Sequence, residues 1–227
     1  MTKNNSVHIL NGTEIYKHFN TTKFLETESM IPFNEAMCYG ETCTAIFSDE
    51  FNEMRSKVHH VTRDQYADIT LKPLQPLFYE NVDTIALWFD EDMFCQMNML
   101  TILAWLDQRE YKGAIDLHLV DHQYKPADEY SLEAKGYAAL YDQVMIHHKM
   151  PETVELKPLY KGIELYLNYL KKDSELMLYI QKHRDVSAEK LVLLLIENFR
   201  EYGLGDTQYL EMIEDSRQKN LFYGDEK

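Results

Sequence analysis

The chain is short of the residues and patterns that would announce a chemistry. Its three cysteines, Cys38, Cys43 and Cys95, form no Cys-x-x-Cys pair, which argues against a disulfide framework and fits reduced thiols. Neither G-x-G-x-x-G nor G-x-x-x-x-G-K-[ST] occurs, so both phosphate-cradling fingerprints are missing. No apolar run approaches membrane-spanning length. The opening Met1-Thr2-Lys3-Asn4-Asn5-Ser6 lacks the apolar core of a signal peptide, so a cytoplasmic protein is expected and Asn11-Gly12-Thr13 has no secretory context. Basic residues are also scarce: 23 Lys and Arg stand against 38 Asp and Glu, a formal charge of −15. That balance repels nucleic-acid backbones and anionic membranes, both of which need a basic face to release counterions. No nucleic-acid or membrane partner is therefore expected.

What the chain does have is core. With 45% hydrophobic and 12% aromatic residues over 227 positions, it can bury a large apolar interior. The richest stretch runs from Asn81 to His122. Residues 82–89 are apolar enough for a buried strand, Asp90-Glu91-Asp92 opens a helix, and residues 114–120 return as a strand after Gly113. Ile115, Leu117 and Leu119 alternate there with Asp116 and His118, which suits an edge strand with one wet face. Upstream, residues 6–10 predict a first strand and residues 29–33 a second, with Pro32 favouring its end. Thr13, Ser48 and Thr62 are positioned as helix caps, the last with Gln65 in a capping-box pattern.

Beyond Lys125-Pro126 the pattern is helical throughout and no further strand is expected. Leu159, Ile163, Tyr166, Leu167 and Leu170 mark one helix, and Leu191, Leu194, Leu195 and Phe199 another. The expected organisation is a Rossmann-like α/β domain over residues 1–125 and a helical domain over 126–227.

Strands joined by helical crossovers lie parallel with right-handed connections, and the simplest sheet has the order 2-1-3-4. A ligand then belongs in the crevice beyond the carboxyl ends of the first and third strands. Topology places Asn11, Gly12, Thr13, Asn34, Glu35, Asp90 and Asp92 at that edge as the candidate ligand-binding residues. A metal held by Asp90, Asp92 and Glu35 or Asp121 is weighed against Asp90 simply capping the long helix, and the cap is preferred because it needs no distant partner. No metal ligand, cofactor or catalytic residue is assigned. Cys38 sits among acidic neighbours that oppose a thiolate, and Cys95 lies in a methionine-rich stripe that reads as core. The adjacent pairs His59-His60 and His147-His148 lack the i, i+4 spacing of a metal face. Gly203-Leu204-Gly205-Asp206 joins two helices. The second presents Asp206, Glu211, Glu214 and Asp215 against Arg217 and Lys219, a poor surface for DNA phosphates.

Three segments, 7–12, 31–41 and 87–92, together resemble the bacterial DUF1835 family, a domain of unknown function. The likeness covers the first half, to about Asp121. It implies the same α/β fold and the same edge around Asn11, Glu35 and Asp90, and it supplies no reaction. Where relatives carry Gly-Asp-Ser or Gly-Asp-Ala after the first strand, this chain has Gly12-Thr13-Glu14. The expectation is a soluble bacterial protein that binds a small ligand in the crevice. The alternative is a non-catalytic interaction or transcription-regulatory protein acting through its helical half. Tyr160, Tyr166, Tyr169 and Tyr179 would then form a partner surface that also suits a homo-oligomer.

Overall fold

The computed structural model describes residues 5–222, with side chains as far as Gln218. Met1 to Asn4, read above for a signal sequence, and the Lys219 side chain lie outside that range. Strands β1 (Ser6–Leu10), β2 (Ser29–Pro32), β3 (Thr84–Phe89), β4 (Ala114–Val120) and β5 (Pro126–Leu132) form one sheet in the order β2-β1-β3-β4-β5. The first four are parallel and stand in the expected 2-1-3-4 order, with Ile9 level with both Ile31 and Leu87, and Leu87 with Leu117. Helix α1 (Thr13–Thr22) links β1 to β2. Helices α2 (Asp49–Val58), α3 (Arg63–Tyr66) and α4 (Gln75–Tyr79) fill the crossover to β3, and α5 (Met93–Gln108) joins β3 to β4.

β5 corrects the expectation that no strand follows Pro126 and that β4 forms the edge. It runs antiparallel to β4, pairing Leu117 with Tyr130 and Ile115 with Leu132. Its sequence, Pro-Ala-Asp-Glu-Tyr-Ser-Leu, is mostly exposed and has only Tyr130 and Leu132 as large apolar members, so hydrophobic alternation is nearly invisible. Such a strand exists because β4 offers it a ladder, not because it buries much itself. Proline is tolerated at its first position.

Strand alternation divides the sheet into two faces. Leu10, Ala86, Trp88 and Val120 meet Ile15 and Phe19 of α1 on one side. Val7, Ile9, Ile85, Leu87, Phe89, Ile115, Leu117 and Leu119 face the main core on the other. β3 is buried on both faces, which is why its sequence is continuously apolar. Helix α5 lies in the main core, and every residue from Cys95 to Leu106 is buried. It is apolar all round because the sheet covers one flank while α6 (Tyr137–Tyr141) and α7 (Lys157–Tyr169) cover the other. Gly162 permits the α7 approach, since a Cβ there would stand 2.5 Å from Gln96 Cβ. Helices α8 (Glu175–Lys182), α9 (Ala188–Asn198) and α10 (Asp206–Phe222) complete the helical portion. Ser174 and Ser187 cap α8 and α9 through the Met177 and Lys190 amides. One continuous hydrophobic core includes both strand residues and Leu195, Tyr209 and Ile213.

Candidate functional site

Because α1 and α5 leave β1 and β3 on opposite faces, the carboxyl ends of those strands part and leave a cleft of about 430 Å³. Asn11, Trp88, Asp90, Asp92, Cys95 and Tyr124 are among its walls. The Asn11 amide donates to the Trp88 carbonyl at 3.1 Å, extending the β1–β3 ladder to the rim. The Asn11 side chain is held on two sides: its Nδ2 donates to Cys95 Sγ at 2.7 Å and its Oδ1 accepts from Asn98 Nδ2 at 2.8 Å. Asn98 has no exposed surface. It also donates to the Glu35 carbonyl at 2.7 Å and accepts from the Met37 amide at 2.9 Å, which locks the 34–37 loop to the rim.

The α5 cap is Asp92, not Asp90: Asp92 Oδ1 accepts from the Cys95 amide at 2.7 Å, and the helix begins at Met93. Asp90 Oδ1 accepts from the Glu91 amide at 2.6 Å, and the residue stands two positions before the cap. Burial is the largest influence on both carboxyls and pushes both upward, Asp92 to about 6, and the mutual proximity of Asp90 adds to the rise at Asp92. Cys95 is driven well above the ordinary thiol range, first by burial and then by Asp92, so it stands here as a protonated thiol.

The other predicted residues occupy the same sheet edge but not the cleft. Gly12 precedes α1 with φ 93°, a left-handed backbone value that glycine accepts without strain, and a side chain there would meet open space. Thr13 Oγ1 donates to Asn34 Oδ1 at 2.8 Å, and Asn34 Nδ2 donates to the Ile69 carbonyl at 3.1 Å, so this pair fastens α1 to the β2 end and the helical crossover. Glu35 departs most from its expected place, for its side chain is wholly buried. Its Oε1 accepts from Arg55 Nη2 at 2.7 Å and from the Ala36 amide at 2.8 Å, lies 2.5 Å from His59 Nε2, and its Oε2 accepts from Tyr66 at 2.6 Å. Enclosed by these partners, the Glu35 carboxylate does not line the cleft. Asp121 does not line the cleft either: its Oδ1 accepts from the amides of Gln123 and Lys125 at 2.8 and 2.9 Å, though its charge is near enough to raise Asp90. Among the described residues no three His, Cys, Asp or Glu side chains are grouped to hold a metal ion. Cys38 is buried, and burial pushes its thiol up to about 12.

His122, which topology brings to this edge after β4, does line the cleft, whereas Tyr124 from the same turn and Gly203 from between α9 and α10 escaped the sequence reading. A Cβ at Gly203 would fall inside the Asp92 carboxylate, so the glycine turn packs directly against that side chain. No regular spacing in the chain announces that meeting.

Replacing Asp92 by asparagine keeps a capping oxygen while removing the charge. The folded value of Asp92 is raised above its ordinary 3.8, so its contribution to stability is fully present below pH 3.8 and is lost as pH rises through about 6. The expected result is that Asp92→Asn is more stable than wild type at pH 7 by on the order of 1–2 kcal/mol, after discounting for partial exposure. At pH 3.5 the two unfold alike. Urea titrations at the two pH values check this, and a variant less stable at pH 7 contradicts it.

No family model matches the chain, and neither a curated protein nor a solved structure matches it at a significant level.

Proposed function

We propose that the protein binds a small polar molecule carrying an ammonium or other cationic group in the cleft beyond β1, β3 and β4. The observation that carries this reading is the wall chemistry. Asp90 and Asp92 are both held in surroundings that disfavour their charged forms, Glu14 lies nearby, and among the described residues no lysine or arginine lines the cleft. A bound cation would offset that cost, whereas a phosphate or carboxylate would meet only like charge. Tyr124 adds aromatic surface against which a cation or flat ring is favourably placed, while the Trp88 ring is already covered by His118, Phe19 and Phe24. The resemblance of segments 7–12, 31–41 and 87–92 to the DUF1835 family points to the same sheet edge and supplies no reaction.

A thermal-shift series tests this. Amines, amino sugars and nucleosides are compared with matched carboxylates and phosphates. At least one cationic compound is expected to raise the melting temperature at pH 8, with a smaller effect at pH 5 as Asp92 takes up its proton, and no effect in Asp90→Asn. Stabilisation by anions alone, or a cation effect that survives Asp90→Asn, overturns the reading.

A second reading, an interaction surface on the helical half, draws support more from aliphatic side chains than from tyrosines. Tyr160 is exposed, but Tyr166 is buried and Tyr169 and Tyr179 are half-buried. Leu178, Leu193, Ile196 and Leu210 are exposed on α8, α9 and α10. Sedimentation velocity on wild type and Leu193→Glu separates this reading from a monomeric binding protein: a dimer present only in the wild type supports it.

A further inference from the structure

A second depression, sharing no wall residue with the cleft, lies beside the free edge of the sheet. It measures about 580 Å³ and runs between the end of β5 and the segment leading into α7, with α6 as its floor. Tyr130, Leu132, Tyr137, Leu140, Val154 and Leu156 supply apolar surface, and Glu133, Lys135 and Glu155 supply charge.

We propose that this groove takes an extended, basic peptide segment of another protein, which adds to β5 as a sixth strand. Two features of the backbone support this. Among the described residues the outer edge of β5 pairs with nothing, and residues 152–155 on the opposite wall make no backbone hydrogen bond either. A strand laid between them finds amide and carbonyl partners along β5, with side-chain pockets on alternate residues. The side chains of β5 are already arranged for such a role. Glu129 and Ser131 turn to the far face, where they meet His118 at 3.0 Å and Asp116 at 3.2 Å, while Tyr130 and Leu132 remain on the groove side.

Charge chooses the occupant. Asp128 lies on the groove side of the strand register and Glu133 and Glu155 on the two walls, against Lys135 among the described lining residues. Pairing β5 with β5 of a second copy would set two acidic strands side by side, which is unfavourable, whereas a lysine- or arginine-bearing segment meets complementary charge.

The test uses the full-length protein and fluorescein-labelled octapeptides, read by fluorescence polarisation. The probes are an alternating Lys-Val peptide, a Glu-Val peptide, and the Lys-Val peptide N-methylated at every second residue, which keeps its charge but cannot pair along an edge. The Lys-Val peptide is expected to bind at least tenfold more tightly than both others. The Glu133→Lys/Glu155→Lys variant should lower that affinity at least tenfold; both positions are exposed, so folding is not at stake. Asp90→Asn should leave it unchanged, which separates this site from the cleft. Equal binding of the N-methylated peptide overturns the proposal, since it would then be bulk attraction to an acidic protein. Absence of binding, or a self-association through this edge abolished by Tyr130→Lys, overturns it as well.

Discussion

Glu35→Gln is expected to lower the unfolding free energy by about 3–5 kcal/mol at pH 7, because it strands a charged guanidinium where water cannot reach it. Arg55 has no exposed side-chain surface, and among the described residues its one carboxylate partner is Glu35. The remaining donors of Arg55 serve the carbonyls of Tyr39, Glu41 and Ala36 at 2.7, 3.0 and 2.9 Å, so the arginine staples the loop after β2 onto α2. Arg55→Lys is expected to lose nearly as much as Arg55→Met, since a single ammonium cannot span that planar set of acceptors. The pH dependence is a second signature. Burial alone would raise the Glu35 carboxyl, but hydrogen bonds and charge from His59 and Arg55 outweigh it and hold the group at about 2. A depressed folded value means the stabilisation is present above the ordinary 4.5 and disappears as pH falls toward 2. Wild type should therefore destabilise by about 3 kcal/mol more than Glu35→Gln between pH 5 and pH 2. Parallel slopes for the two proteins in guanidinium titrations over that range would show that the pair is not held as described.

Gly203→Ala is expected to cost about 2–4 kcal/mol, from two additive sources. The residue has φ 64°, a left-handed conformation that follows the short 3₁₀ turn Arg200–Tyr202, and a side chain there is strained by itself. The new methyl would also overlap the Asp92 carboxylate and push it off the Cys95 amide it caps. Gly205 provides the control: it has ordinary backbone angles, and a Cβ there meets only Gln208 Oε1, at 3.1 Å. Gly205→Ala should stay within about 1 kcal/mol of wild type. Because Gly203 lines the cleft, its substitution should also weaken any cationic compound found by thermal shift, even at temperatures where the variant is folded. Equal effects at both glycines would mean that only helix termination is at stake.

These variants also divide what could be read along the chain from what could not. The parallel order of the first four strands was legible because each strand is short, apolar and bounded by helical pattern, and because right-handed crossovers leave few arrangements. β5 was hidden because its stability lies in hydrogen bonds to β4 and not in its own apolar residues. Asn11, Asp90 and Asp92 do line one cleft, since strand ends are fixed by topology. Glu35 sits at the matching place after β2, but where it points is decided by Arg55, 20 residues away in α2. Local sequence contains nothing that tells a ligand carboxylate from one claimed by a buried arginine.

The chain by itself determined its fold class, the direction and order of its parallel strands, and the end of the sheet where a cleft must open, because periodicity and crossover handedness act locally. Tertiary structure alone decided which carboxylates face that cleft, that a glycine from between the last two helices closes over Asp92, and that a polar strand completes the sheet edge. Those outcomes depend on contacts between segments distant in sequence, whose energies appear only when the segments meet.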